Sequence, residues 1–328
     1  MNRLSASGVD ARIVAEAVTV PGPDDTVMYG VVSRPAVAPA CRRAVVIAGR
    51  TAPGDFLRWF ADSLAQTGLL VLRFDPVGTG DTPGGEADAE IPINDYHRRL
   101  QAGSFTESTK SAVTWLRRSY GAPEACVIAL CGACASGLLA AAELPDAVSW
   151  LVMITPAVLY STGDEEMRDY EASHWTRGYV RRLLNPSAYR NFLTGASDYK
   201  AIAKLGKSIL RRAAALLRQA GARFSRRPRP NHPLFNWRFW EGFTRVMERR
   251  IPVLFLLAEL DNETPDFNAE FKALVLDRHG PYSKLCTVQT LPKTDHSFNF
   301  EDGRRRARNA IVEWLRSFDE PADLDAAS

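Results

Sequence analysis

The chain has 328 residues, of which 46% are hydrophobic and 24% charged, and its net charge is +3. This composition excludes a disordered or collagen-like chain. No apolar run reaches the roughly 18 residues that a membrane-spanning helix needs. The opening stretch, MNRLSASGVDARIVAEAVTV, has no apolar core after Arg3, so no signal peptide is expected. The five cysteines (Cys41, Cys126, Cys131, Cys134 and Cys286) are odd in number and sparse, which excludes a disulfide framework and makes the cytoplasm the expected compartment. Charge is unevenly spread: residues 199–240 carry +11 with no acid, so the rest of the chain carries −8.

Taken in chain order, Arg12–Val20 and Val27–Ser33 read as strands around the turn PGPDD. Ala44–Ala48 is a short buried strand. Asp55–Gln66 is a helix with Phe56, Phe60 and Leu64 on one face. Leu69–Phe74 is a strand, Thr106–Arg118 a helix, Cys126–Cys131 a strand, Ala135–Ala142 a helix and Trp150–Ile154 a strand. This alternation predicts a mostly parallel sheet with helices on both faces. It stops at Thr155 and resumes at Pro252–Ala258, followed by a helix near Phe267–Leu276, a strand at Leu285–Leu291 and a closing helix at Arg304–Phe318. The expected organisation is an α/β core from residues 1–154 and 251–328, interrupted by a helical cap at 155–250.

The stretch VIALCGACASGLLAA, residues 127–141, runs from a strand through small residues into a helix. That is the layout of a nucleophile elbow, whose tight turn tolerates only small neighbours two positions before and after the nucleophile. Cys134 fits, with Gly132 before it and Ser136 then Gly137 after it, at a helix N-terminus that favours thiolate. Three other readings stay open. Cys131 is an alternative nucleophile with Ala129 two residues before it, Ser136 is another, and Cys131-Gly-Ala-Cys134 is also a C-x-x-C pair of the thioredoxin kind. Two inert core cysteines are the bland alternative.

An elbow calls for an acid and then a histidine, each after a later strand. Asp261 follows PVLFLLA and His296 follows LCTVQTL, with Glu259 and Glu263 as rivals to Asp261. The expected triad is Cys134, His296 and Asp261, in which the imidazole handles the thiol proton and the carboxylate orients it. The oxyanion donors expected from this assignment are the backbone N–H groups of Ala135 and Arg50. No metal is implied, because His, Cys and Asp do not fall at ligand spacings, and no glycine-rich dinucleotide fingerprint follows a strand. No cofactor is expected.

These features resemble the α/β-hydrolase superfamily over Ala44–Ile154 and Pro252–Phe318. LRFDPVGTGDTPGG, residues 72–85, is similar to its R-x-D-x-x-G-x-G-x-S loop, with Thr82 at the serine position. The resemblance implies a structural role for Asp75. The stretch IAGRTAPGDFLRWFADSLAQTGLLVLRFDPVGTGD with a cysteine elbow resembles exosortase A system-associated hydrolases. A cysteine nucleophile on this fold also resembles dienelactone hydrolase and the bile-acid-CoA:amino acid N-acyltransferase group.

A cysteine nucleophile forms an acyl thioester, so an acyl thioester (acyl-CoA or acyl-carrier protein) is the expected donor, with water, an amine or an alcohol as acceptor. Carboxylester or lactone hydrolysis, and non-catalytic ligand binding, are the alternatives. Tyr160, Tyr170, Trp175, Tyr179, Trp237, Phe239 and Trp240 of the insertion are candidates for an acyl pocket, or for the packing of the cap itself. The basic run, with Arg211, Arg212, Arg226 and Arg227, is expected to dock CoA phosphates or an acidic carrier. Ile202, Leu205, Ile209 and Leu210 fall at helical spacing there, so a solvated helix or peripheral contact with an anionic membrane is the competing reading. Nucleic acid is not an expected partner.

Overall fold

A computed structural model describes residues 12–37, 43–48, 54–84, 93–160, 232, 234–278 and 280–318. Its centre is an eight-stranded sheet: β1 (Ile13–Pro21), β2 (Val27–Pro35), β3 (Arg43–Ala48), β4 (Leu70–Phe74), β5 (Glu124–Leu130), β6 (Val148–Ile154), β7 (Val253–Ala258) and β8 (Cys286–Leu291). The spatial order is β1-β2-β4-β3-β5-β6-β7-β8. β2 runs antiparallel to β1 and β4, and all pairs from β4 to β8 are parallel.

The parallel strands β3 to β7 are largely apolar on both sides because helices cover both faces, whereas the edge strand β8 is mostly exposed. Alternation along β5 shows the division. Ala125, Val127 and Ala129 join one core cluster, while Cys126, Ile128 and Leu130 join the other. The second face is covered by α1 (Gly54–Ala65) and the last helix, α8 (Glu301–Arg316), through Phe56, Phe60, Ala307 and Ile311. The first face carries α3 (Thr106–Tyr120), α4 (Cys134–Glu143) and α5 (Trp237–Glu248). Between β7 and β8 the chain forms a short helix α6 (Glu263–Asp266), a π-helical run Phe267–Leu276 and α7 (Gly280–Leu285). Fully buried Phe239, Phe243, Phe255, Phe267 and Phe271 pack together on that side, and each contributes on the order of 1.5–3 kcal/mol by leaving water.

α5 lies inside the span expected to form the cap, yet it is a layer of the core. Asn236 caps it, accepting the N–H groups of Arg238 and Phe239. Gly242 lets it approach α4 closely, since a Cβ there would sit 2.8 Å from Leu138 Cβ. Phe239 is therefore core packing, stacked edge-on against Phe271, and Trp237 is largely exposed. Of the pocket aromatics expected from sequence, Tyr170, Trp175 and Tyr179 lie outside the described residues. The basic residues Arg211, Arg212, Arg226 and Arg227 do too.

α2 (Ile93–Gln101) precedes α3 and was not foreseen as a helix. β3 and β5 are neighbours although β4 lies between them in sequence, so chain order reverses its direction across the sheet at this point. In open parallel sheets such a switch, at the carboxyl ends of the strands, is where ligands bind.

Candidate active site

β5 leaves the sheet at this switch. Leu130 is its last residue, with extended backbone, and Cys131 follows at φ 49°. A left-handed conformation is rare and costly for a residue with a side chain, so it persists only where the surroundings enforce it. Cys131–Ala133 then forms a single 3-10 turn, closed by the Cys134 N–H on the Cys131 carbonyl, and α4 begins at Cys134. The sharp bend is therefore at Cys131, three residues before the position expected from sequence.

The small residues around this bend each have a physical reason. Ala129 and Ala133, two before and two after Cys131, are fully buried. At Gly132 a Cβ would meet Leu100 Cβ at 3.1 Å and Gln101 Cγ at 3.3 Å, so the end of α2 presses on the turn. At Gly137 a Cβ would meet Ala129 Cβ at 3.0 Å, so α4 packs directly on β5. Asn236 and Gln101 tie this floor together. Asn236 Nδ2 donates to the Gln101 carbonyl (2.8 Å), and Gln101 Nε2 donates to the Leu159 carbonyl (3.2 Å).

The assignment of Cys134 as the group at the bend is corrected by this geometry. Cys134 is fully buried within the first turn of α4, and its Sγ lies 3.4 Å from the Ala129 carbonyl and 3.8 Å from that of Ile154. Burial, with a smaller effect of nearby Cys131, pushes its thiol well above the usual range. Ala135 moves with it into the buried body of α4 and does not follow the bend. Gly132 follows it instead. Arg50 lies outside the described residues. Ser136 is equally buried, and its hydroxyl accepts the Phe105 N–H at 3.1 Å.

Asp261 and His296 are brought together. Asp261 leaves β7 in a turn in which its N–H bonds the Ala258 carbonyl. One carboxylate oxygen accepts the Glu263 N–H, and the other lies 2.9 Å from His296 Nδ1. A carboxylate only accepts, so Nδ1 carries the hydrogen. The two loops are stitched to each other: the Glu259 and Leu260 N–H groups bond the carbonyls of Leu291 and Thr294, and Glu259 Oε2 accepts the Lys293 N–H. Glu259 and Glu263, the sequence rivals of Asp261, thus serve the loop that holds it. Phe298 pins the histidine loop from below, fully buried and stacked on Phe56 with centroids 5.0 Å apart.

Cys131 lies close enough to the imidazole to act on its protonation. Burial alone would lower the histidine pKa. The negative charge of Asp261, then the neighbouring Cys131 and the hydrogen bond to Asp261, outweigh it and hold His296 well above its ordinary 6.5. The Asp261 side chain is only 3% exposed, whereas a third of the His296 side chain reaches solvent. Cys131, itself buried at 7% exposure, His296 and Asp261 thus form a thiol–imidazole–carboxylate line. Among the described residues, no group of three or more His, Cys, Asp or Glu is placed to hold a metal ion, and no helix is long and apolar enough to cross a membrane.

The Asp75 loop is scaffold. Asp75 Oδ2 accepts the Asp81 N–H, a Cβ at Gly80 (φ 57°) would collide with that carboxylate, and Thr82 Oγ1 bridges the Asp75 carbonyl and the Tyr29 N–H.

No protein-family model and no curated protein matches this sequence. Solved structures do. The chain is similar to the dienelactone hydrolase of Anabaena variabilis (13% identity, TM-score 0.52, covering 93% of this chain and 98% of that one). It is similar to the esterase Pf2001 of Pyrococcus furiosus (12% identity, TM-score 0.52, 93% and 90%). It is also similar to DcsB, solved in complex with its substrate analogue (15% identity, TM-score 0.54, 93% and 99%). The strand order, the bend after β5 and these likenesses define the α/β-hydrolase fold.

Proposed function

We propose that the chain is an acyl-transfer enzyme of the α/β-hydrolase fold in which Cys131, His296 and Asp261 form the catalytic triad. One observation carries the reading: Cys131 sits in strained left-handed backbone at the exit of β5, against an imidazole that Asp261 orients at 2.9 Å. The esterase and dienelactone hydrolase neighbours support hydrolytic acyl chemistry.

In the proposed cycle the Cys131 thiolate attacks the substrate carbonyl carbon. A C–S bond forms and the carbonyl π electrons move to oxygen. The oxyanion is met by the N–H of Gly132, which lies in the first turn of a helix and has no partner within it. Collapse breaks the bond to the leaving group, and the His296 imidazolium supplies that group's proton. Neutral His296 then takes a proton from the acceptor as it attacks the acyl-cysteine, and thiolate and imidazolium are restored. Asp261 keeps the Nδ1 tautomer and stabilises the cation throughout.

A thioester donor suits this nucleophile, because transfer from one thiol to another is nearly isoenergetic. We therefore favour an acyl-CoA or acyl-carrier protein as substrate, with water, an amine or an alcohol as acceptor. A carboxylester or lactone is the second reading, supported by the dienelactone hydrolase and the esterase among the structural neighbours. Intact mass after mixing with short- and long-chain acyl-CoA, with p-nitrophenyl esters and with a lactone tests both. The expected result is an acyl adduct mapped to Cys131, lost in Cys131→Ala and retained in Cys134→Ala. An adduct that follows Cys134 instead, or no adduct from any donor, overturns the proposal.

A further inference from the structure

The C-x-x-C pair at the bend is not used up by acyl transfer, since that chemistry needs one thiol. Cys131 and Cys134 are joined through a 3-10 turn, closed by the hydrogen bond from the Cys134 N–H to the Cys131 carbonyl. At about 2.0 Å rise per residue, residues three apart across such a turn lie roughly 6 Å apart between Cα atoms. That separation lies within the roughly 4.4–6.8 Å that a disulfide spans. The intervening Gly132 and Ala133 place no bulky side chain between them. Cys126 faces the opposite side of the sheet, and Cys286 lies on β8 with its Sγ 3.7 Å from Met247 Sδ. Among the described residues Cys134 is therefore the thiol within reach of Cys131.

We propose that Cys134 is a resolving cysteine, converting peroxide-oxidised Cys131 into a reversible Cys131–Cys134 disulfide that switches the site off and protects it. The inference rests on the reading of Cys131 as the reactive thiol. It names a peroxide as oxidant and balances in two steps. The Cys131 thiolate attacks one oxygen of hydrogen peroxide, the O–O bond breaks, hydroxide leaves and a sulfenic acid remains. The Cys134 sulfur then attacks the Cys131 sulfur, the S–O bond breaks, and the departing hydroxide leaves as water with the Cys134 proton. Two electrons pass from the thiol pair to the peroxide.

The different settings of the two sulfurs give the order of events. Cys131 adjoins an imidazole whose pKa Asp261 raises, which favours thiolate, the species that attacks peroxide. Cys134 is fully buried, and burial keeps it as thiol, so it does not consume peroxide first. The cost is local: Cys134 must turn its sulfur away from the Ala129 and Ile154 carbonyls. A mixed step with an outside thiol such as glutathione reverses the bond.

The test treats the full-length reduced protein with hydrogen peroxide, follows it by intact mass and peptide mapping, and then adds dithiothreitol. The expected product is a species lighter by two hydrogens with a Cys131–Cys134 cross-link, and dithiothreitol restores essentially all iodoacetamide-reactive Cys131. Cys134→Ser, and Cys134→Ala as a second variant, keep Cys131 alkylation before oxidation. After peroxide they recover less than about a tenth of it, because the sulfenic acid proceeds to sulfinic acid. Gain of two or three oxygens in the parent protein without the cross-link overturns the proposal. So does equal recovery in parent and variants. The acyl-adduct experiment on reduced protein is independent. An adduct at Cys131 without a cross-link overturns the switch alone, and a cross-link without an adduct supports the switch while overturning acyl transfer.

Discussion

If the Cys131–His296 contact is a thiolate–imidazolium pair, replacing His296 must change how Cys131 reactivity depends on pH. An ordinary cysteine titrates near 8.5, so its thiolate fraction climbs from about 1% at pH 6.5 to about half at pH 8.5, roughly a 50-fold rise. On that premise the imidazolium, held by Asp261 well above 6.5 in the parent protein, keeps the paired thiolate formed at the lower pH. The expected alkylation rate of Cys131 by iodoacetamide then changes less than about two-fold over that interval. His296→Gln removes the cation and, because Cys131 is itself buried, is expected to show a rise of at least about 50-fold. The signal is readable because the competing thiols are suppressed. Cys126 and Cys134 are fully buried and raised by that burial, and Cys286 is pushed up to about 12. Stopped alkylation with peptide mapping at Cys131 and at Cys41, which lies outside the described residues, measures both proteins. Parallel profiles for the two would refute the ion pair, and labelling of Cys134 ahead of Cys131 would refute the location of the reactive thiol.

Asp261→Asn removes the main charge that holds the histidine proton. A raised folded-state pKa stabilises fully below the unfolded value near 6.5 and loses that contribution as pH rises through the folded value. The Tm gap between parent and variant is therefore expected to be widest below about pH 6.5 and to narrow at alkaline pH; a gap that widens with pH would contradict this. Gly132→Ala forces Leu100 and Gln101 apart by a few tenths of an ångström against contacts of 3.1 and 3.3 Å. A loss of about 1–3 kcal/mol in chemical denaturation is expected, with acylation slowed more than substrate binding, and unchanged acylation would remove Gly132 from the oxyanion site. Phe298→Ala empties a fully buried site stacked on Phe56. It is expected to cost about 3–5 kcal/mol and to lower Cys131 reactivity through the loosened histidine loop, so intact stability would deny that anchor.

The fold was legible because its signals are collective. The apolar runs of β3 to β7, alternating with helices, leave few topologies once connections must be right-handed and parallel, and the strand boundaries shifted by only a residue or two. Asp261 and His296 were legible for a similar reason, as each is the acid or base directly beyond a buried strand. α2 was not legible: INDYHRRLQ is mostly polar, with Tyr96 and Leu100 supplying its apolar contacts, and its importance lies in pressing on Gly132 from a distance in sequence. The position of the bend was misread for a sharper reason. Searching for glycine two residues before the nucleophile selects Cys134, because Gly132 and Gly137 dominate the pattern. Yet each glycine answers a neighbour, Gly132 the end of α2 and Gly137 the Ala129 methyl, and neither answers the bend itself. What the bend requires is small flanks, which Ala129 and Ala133 supply, and a residue placed immediately where the strand ends. Counting from the strand end rather than from the glycines selects Cys131. The same count leaves Cys134 one 3-10 turn further on, where it has no opening to substrate but lies close to Cys131.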